Sequence, residues 1–346
     1  MYPDFGPAGR RGTGVCRNRA VMAARLAILG VGGAHVDRIG HLSGPAHDGA
    51  SNPGTMAEWV GGCMANTLRV ASAVGGVRIG LISARGGDTG GRLVSQALSE
   101  AGVEDFSAVF LDRATPSYTA IMDADGEVMA ALADMDLYET GLARHLRRAE
   151  PRALIAQAGM LLVDANLPSG AIGALSDATD APIVALAVSP AKAPRIAQHA
   201  ARFALTFMNR REMNALISAP LGEPVTPATL ARLSALGFRR AVISDGGGPV
   251  TVLDGDAAWR QPVGEAANPV DVTGAGDALA GATLAHWPGM ALPSAVRVGV
   301  AAAAATIGVT GPFRADIAAC GLKGRADALP AREPIALDTD TSSETP

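Results

Sequence analysis

The chain reads as an α/β protein: a mainly parallel central sheet flanked by helices, with a small β-sheet set apart as a lid. Three observations predict this. Short apolar runs that end in glycine loops alternate with helical patterns over most of the chain. Extended runs near 35–60 and 117–132 break that alternation, the second folded about Asp125-Gly126 as a hairpin. Hydrophobic residues make up 48% of the 346 positions and charged residues 18%, enough to bury both faces of a sheet.

The elements follow in order. ARLAILGVGG (24–33) is an apolar run entering a glycine loop, and CMANTLRVASAVG (63–75) has helical spacing and stops at Gly75-Gly76. VRIGLISARG (77–86) reads as a buried strand, and GRLVSQALSEAG (91–102) as a helix. MLLVDANL (160–167), PIVALAV (182–188), FALTF (203–207) and AVISDG (241–246) read as core strands, and VTVLDGDAAWRQPV (250–263) as a hairpin. A helix is expected over 277–287. The alanine-rich VGVAAAAATIGV (298–309) suits a buried helix and falls short of a membrane span. The folded part is expected over 25–330, with lid segments near 35–60 and 115–135. Residues 1–24, with four arginines against Asp4, read as a disordered extension or as residues upstream of the true start. Residues 331–346 read as a disordered acidic tail.

Composition narrows the function. A net charge of −4 argues against a nucleic-acid partner, which needs a basic surface. Three scattered cysteines show no metal spacing and suit a reducing, cytoplasmic setting, with no membrane partner expected. There is no Walker A loop, and GAGDALAGA stands too near the C-terminus for a dinucleotide fingerprint. If Gly274, Ala275 and Gly276 form a bend at a helix start, their N–H groups make an anion hole. Asp277 there either caps the helix or accepts a proton from an attacking hydroxyl.

DVTGAGDALAG (271–281) resembles the C-terminal signature of the PfkB, or ribokinase-like, family of sugar and nucleoside kinases. Gly61-Gly62 with Asn66, the GGDTGG segment at 86–91, and Asn209-Arg210-Arg211-Glu212 are similar to further family signatures in the same order. The resemblance covers roughly 25–325 and implies a ribokinase-like fold, ATP and Mg2+. It implies roles as well: Asp277 as general base over the Gly274–Gly276 anion hole, and Asp37, Gly61, Gly62 and Asn66 on the acceptor's sugar. Asn209, Ser244, Gly246 and Thr273 would lie on ATP, Glu212 on magnesium through water, and Asp271 near a possible K+ site.

Within the family, SNPGTMAEWVGG (51–62), ALADMDLYETGL (131–142) and LLVDANL (161–167) resemble segments of pseudouridine kinases. That likeness implies phosphorylation of a pseudouridine 5′-hydroxyl, with Ser51, Asn52, Asp134 and Asp164 as candidates to read the base or close the lid. Another sugar or nucleoside kinase, or a non-catalytic nucleoside-binding protein, stays open, and a homodimer through the lid is expected. The chain departs from the pattern at His35, where relatives often carry asparagine, and at Met64, where glycine is usual. The bulk of Met64 is expected to face the sugar pocket.

Overall fold

The computed structural model describes residues 26–264, 269–287 and 289–337; the extension expected over 1–24 and the tail from 338 onward lie outside them. The described residues form a ten-stranded main sheet. From one edge its order is Glu333–Ile335, Ala257–Gln261, Val250–Asp254, Arg240–Ser244, Phe203–Asn209, Ile183–Leu186, Leu161–Asp164, Ile28–Val31, Ile79–Ile82 and Val103–Asp105. Seven neighbours from Arg240–Ser244 to Val103–Asp105 run parallel, and the remaining three add antiparallel.

The parallel strands are short continuous apolar runs because both faces are covered. Side chains alternate between faces: Leu29, Val31, Leu161 and Val163 enter one core, whereas Ile28, Leu162 and Val184 enter the other. Ile28–Val31 is the switch point of the topology. The chain leaves it outward through Ile79–Ile82, and later returns on its other side through Leu161–Asp164. Ligand crevices of open α/β sheets form beyond the carboxyl ends of strands at such a point.

The lid is a four-stranded sheet ordered Gly54–Gly61, His35–Leu42, Ser117–Met122, Val128–Asp134. Only Gly32, Gly33 and Ala34 separate its second strand from Ile28–Val31, so the lid rises directly over the switch point.

Helix Ala275–His286 packs at close range against Cys63–Gly75 and against Leu292–Thr306, through small residues. A Cβ at Gly281 would strike the Thr67 carbonyl and approach Val70 Cβ at 2.8 Å. Glycine there lets the first two backbones nearly touch. Among the described residues no helix is long and apolar enough to cross a membrane.

Three element boundaries differ from the sequence reading. The run at 77–86 divides into Ile79–Ile82 and Ala84–Gly86, the latter pairing in a separate two-stranded sheet. The helix expected over 277–287 begins at Ala275, because Gly274 takes the left-handed conformation (φ +77°) that turns the chain into it. The fold also runs past 330. Glu333–Ile335 pairs antiparallel with Ala257–Gln261, and Ile335 is buried in the core, so the first residues assigned to a disordered tail form an edge strand.

Candidate active site

The switch point and the lid enclose a cavity of about 640 Å3. Asp37, Gly62, Asn66, Asn209, Glu212, Ser244, Thr273, Gly274, Gly276 and Asp277 all line it. Residues more than two hundred positions apart in the chain thus meet at one place.

At the centre is Asp277, in the first turn of Ala275–His286. The close crossing at Gly281 brings it to Cys63–Gly75, where Asn66 Nδ2 donates to Asp277 Oδ2 at 3.1 Å. Burial pushes the Asp277 carboxyl up from an ordinary 3.8 to about 7; bonds from Asn66 and Cys63 oppose the rise, while Asp37 and Asp164 add to it. A carboxylate near neutrality is well matched to taking a proton at physiological pH. Asp277 does not cap its own helix. The N-cap is Gly274, and it has no side-chain bond.

The turn before Asp277 is tightly specified. A Cβ on Gly274 would collide with the Pro312 carbonyl, whereas one on Gly276 would meet no atom within 4 Å and would stand in open space. The backbone at Gly276 is therefore bare toward the cavity, where first-turn N–H groups lack intrahelical partners. Ala275, expected as a third donor, turns its N–H back to the Val272 carbonyl at 3.3 Å and does not line the cavity. The cradle rests on its neighbours.

Glu212 lines the same cavity. Asn209 caps helix Arg210–Leu216 and forms a capping box with it: Asn209 N and Nδ2 each donate to a Glu212 oxygen at 2.8 Å, and Glu212 N donates to Asn209 Oδ1 at 2.9 Å. Burial raises the Glu212 carboxyl to about 7; the Asn209 bonds oppose this and the nearby Asp277 charge reinforces it. Burial holds both carboxyls toward their neutral forms, and a bound cation would draw them back to carboxylates. Among the described residues no three His, Cys, Asp or Glu side chains form a metal cage. Such a donor set fits Mg2+, which keeps waters and binds through substrate phosphates with few carboxylates.

On the lid side, Asp37 Oδ1 lies 3.2 Å from His35 Nε2, and His35 Nδ1 lies 3.3 Å from the Tyr138 hydroxyl. Gly61 does not line the cavity, but a Cβ there would strike the Asp37 carboxylate, so the glycine clears that group's place.

Several expected site residues lie elsewhere. Asp164 is fully buried and lines no part of the cavity. Its oxygens accept from Gly33 N (2.8 Å), Asn166 Nδ2 (3.0 Å) and Asn166 N (3.0 Å), which locks two switch-point loops together. Ser51 is exposed in the turn between the first two lid strands. Asn52 spends its amide within that turn, accepting from His47 N at 2.7 Å and donating to the His47 and Ala50 carbonyls. Asp134 is exposed on the last lid strand, while its neighbours Ala133 and Met135 line the cavity, as strand alternation requires. Gly246 lies outside the lining, beyond Ser244. Asp271 ties its own loop to the segment after helix Leu292–Thr306, accepting from Thr273 N at 2.8 Å and Gly311 N at 2.9 Å. Met64 does not crowd the pocket. It is fully buried beneath the helix, where only a glycine at position 30 leaves room for its sulfur.

The lining also contains groups to which the sequence reading gave no role: Cys63, Tyr118, Asn166 and Lys192. Lys192 Nζ donates to Asn166 Oδ1 at 2.7 Å. Val188 lines the cavity with φ +69°, a strained backbone for a β-branched residue and a common mark of functional sites. Nothing in the sequence showed that the turn through Ser189 and Lys192 reaches the cavity.

Comparison with known proteins agrees with this geometry. The family model described as pfkB family carbohydrate kinase matches residues 28–316. The chain is 28% identical over 273 residues to the pseudouridine kinase of Escherichia coli (strain K12), which covers 77% of this chain and 86% of that protein. A carbohydrate kinase from Agrobacterium tumefaciens is 36% identical and superposes with a TM-score of 0.77, over 89% of this chain and 99% of that one. A ribokinase from Arabidopsis thaliana, solved with ribose and ATP, is 19% identical and shares the fold at a TM-score of 0.74, over 87% and 99% of the two chains. The architecture is ribokinase-like, as the signatures implied. With the match spanning the segments that build the cavity, the chain belongs to the pfkB family of carbohydrate kinases, phosphotransferases whose acceptor is a hydroxyl.

Proposed function

We propose that the protein transfers the γ-phosphoryl group of ATP to the 5′-hydroxyl of pseudouridine. The observation that carries the chemistry is Asp277: a carboxyl raised to about 7, tethered by Asn66, beside the tight turn at Gly274 and the bare backbone of Gly276. Asp277 takes the hydroxyl proton as the acceptor oxygen bonds to the γ-phosphorus. The bond from that phosphorus to the bridging oxygen breaks, and ADP leaves. The Gly274 and Gly276 backbone, at a helix N-terminus carrying about +0.5 charge, stabilises the negative charge on the transferred group.

Asp37 and Asn66 hold the sugar, since a carboxylate can accept from two neighbouring hydroxyls. Asn209, Ser244 and Thr273, all in the lining, would contact ATP, with Gly246 just beyond Ser244 in the chain. Glu212 would hold Mg2+ through water, and the ion supplies charge neutralisation at the β- and γ-phosphates. A monovalent cation such as K+ belongs to the same reading, beside the loop that Asp271 ties to Gly311. Pseudouridine as the acceptor is supported by the 28% identity to the Escherichia coli enzyme. The polar groups of Asn166 and Lys192 suit a base with carbonyl and N–H edges. The exposed apolar side chains of the lid, Met56, Val128, Met129 and Leu132, support a homodimer through that sheet. The reading places the reaction in the cytoplasm, where ATP is at hand.

The test is ADP formation with ATP and Mg2+ against pseudouridine, uridine, cytidine, adenosine and ribose. Turnover on pseudouridine far above the rest is the expected result. Turnover on another member alone moves the acceptor, and binding without turnover on any removes the kinase reading. In the same assay Glu212→Gln is expected to raise the Mg2+ concentration needed for half-maximal rate by about tenfold, the scale of residues that orient a metal's ligands. An unaltered Mg2+ titration contradicts the role given to Glu212.

A further inference from the structure

Arg69 stands one turn after Asn66 on Cys63–Gly75 and lies outside the cavity lining. Its Nη1 donates to Asn66 Oδ1 at 3.4 Å, and its guanidinium carbon lies 3.9 Å from the centroid of the Phe313 ring. Its Nε–H is buried with no hydrogen-bond partner among the described residues, and no carboxylate there forms an ion pair with it. A half-buried cation with an unsatisfied donor is expensive to keep for packing alone.

The contacts form one line: Phe313, Arg69, the Asn66 amide, Asp277. A guanidinium has donors and no acceptor, so the amide must turn its oxygen toward Arg69. Its NH2 then faces Asp277, which it meets at 3.1 Å. With the amide reversed, its oxygen would oppose a carboxylate oxygen, and both are acceptors. Arg69 and Asp277 thus select opposite ends of the Asn66 amide, and Arg69 fixes the oxygen end. Phe313 follows Pro312, whose carbonyl packs at the Gly274 turn, so the same stack reaches the phosphate cradle.

We propose that Arg69 is a positioning residue for phosphoryl transfer, acting through Asn66 to keep its NH2 aimed at Asp277. The proposal rests on the function given above. The groups facing Asp277 besides Asn66 are Cys63, Asp37, Asp164 and Glu212, and Glu100 lies near Arg69; none of these orients the amide. Burial lowers the guanidinium to about 10, so it stays a cation at neutral pH.

The experiment is a double-mutant cycle of Arg69→Met with Asn66→Ala, read in kcat and acceptor KM, with melting temperature followed in parallel. Arg69→Met keeps a long apolar side chain against Phe313 and is expected to lower kcat about tenfold, as loss of an orienting partner does. In the Asn66→Ala background it is expected to change kcat by less than about twofold, because the side chain it acts through is gone. Arg69→Lys, which keeps a donor, is expected to recover part of the rate. Equal losses in both backgrounds, or an unchanged kcat in Arg69→Met, overturn the proposal. Should Arg69→Met fail to fold, Arg69→Lys carries the same cycle.

A second readout is independent of turnover: the side-chain N–H signals of Asn66 in protein labelled with 15N-asparagine, assigned by their loss in Asn66→Ala. One fixed pair that shifts or broadens in Arg69→Met is expected. A pair unmoved by the substitution contradicts the proposal even if the protein phosphorylates nothing. Absence of turnover in the unmodified protein instead sinks the kinase reading.

Discussion

Asp277→Asn is expected to lower kcat by about 10²–10⁴-fold, the usual contribution of a positioned general base. Asparagine nearly preserves the volume and can still meet Asn66, so the cavity keeps its shape while the proton acceptor is lost. The parent enzyme should show the signature of that acceptor. The carboxyl is raised to about 7, so kcat/KM should rise with pH through about 7 and level off above it. The sign for stability is opposite. A carboxyl whose proton is held more tightly in the folded state stabilises the fold fully below its ordinary 3.8, and that contribution is lost as pH rises through about 7. Asp277→Asn carries no such charge. It should therefore melt above the parent protein at pH 8, with the difference closing at low pH, and should be nearly inactive throughout. Unchanged turnover in Asp277→Asn contradicts the assignment; a lower melting temperature at pH 8 contradicts the claim that burial raises the carboxyl.

Gly274→Ala is expected to act on both fold and chemistry. The residue holds φ +77°, which costs an L-residue roughly 1–2 kcal/mol. Its new Cβ would also press on the Pro312 carbonyl, a backbone atom that can move only with its loop. That shift misaligns the N–H groups at the start of Ala275–His286, and kcat should fall about 10²-fold, on the scale of losing one preorganised donor. Melting temperature should fall by several degrees. Gly276→Ala supplies the contrast. Its Cβ meets nothing within 4 Å, so the fold should be unaffected and the methyl felt only when phosphate approaches, as a higher KM for ATP. Equal melting temperatures for the two variants would show that the turn is not under the constraint described here.

How much of this could be read in the sequence depends on how local each feature is. Alternating apolar runs announced the sheet, because strands buried on both faces need no partner's identity to be recognised. The Asn209–Glu212 pair was found through its likeness to a family signature, and the structure shows that it is also a capping box. Asn66 and Asp277 were found by motif, but their contact depends on the helix crossing that Gly281 permits.

The failures are of another kind. Met64 was expected in the pocket because a side chain replaced a glycine there; helical phase instead carries it to Gly30 on the adjoining strand. Asp134 was judged by its chemistry, and strand alternation turned it outward. Asn52 has the chemistry to read a base, yet its own turn consumes both ends of the amide. Tyr118 enters the cavity only because Ser117–Met122 pairs in parallel with His35–Leu42, some eighty residues earlier, and no local pattern encodes that pairing. Arg69 reads as a solvated helix residue until Phe313 is brought against it.

The most direct measurement is the identity of the product formed from pseudouridine, ATP and Mg2+, followed by phosphorus NMR. The account predicts one new phosphomonoester resonance, split by the two protons of the 5′-carbon and formed one for one with ADP, and absent when Asp277→Asn is used. Inorganic phosphate alone, a phosphate on a ring hydroxyl, or the same ester from Asp277→Asn at the parent rate would contradict it.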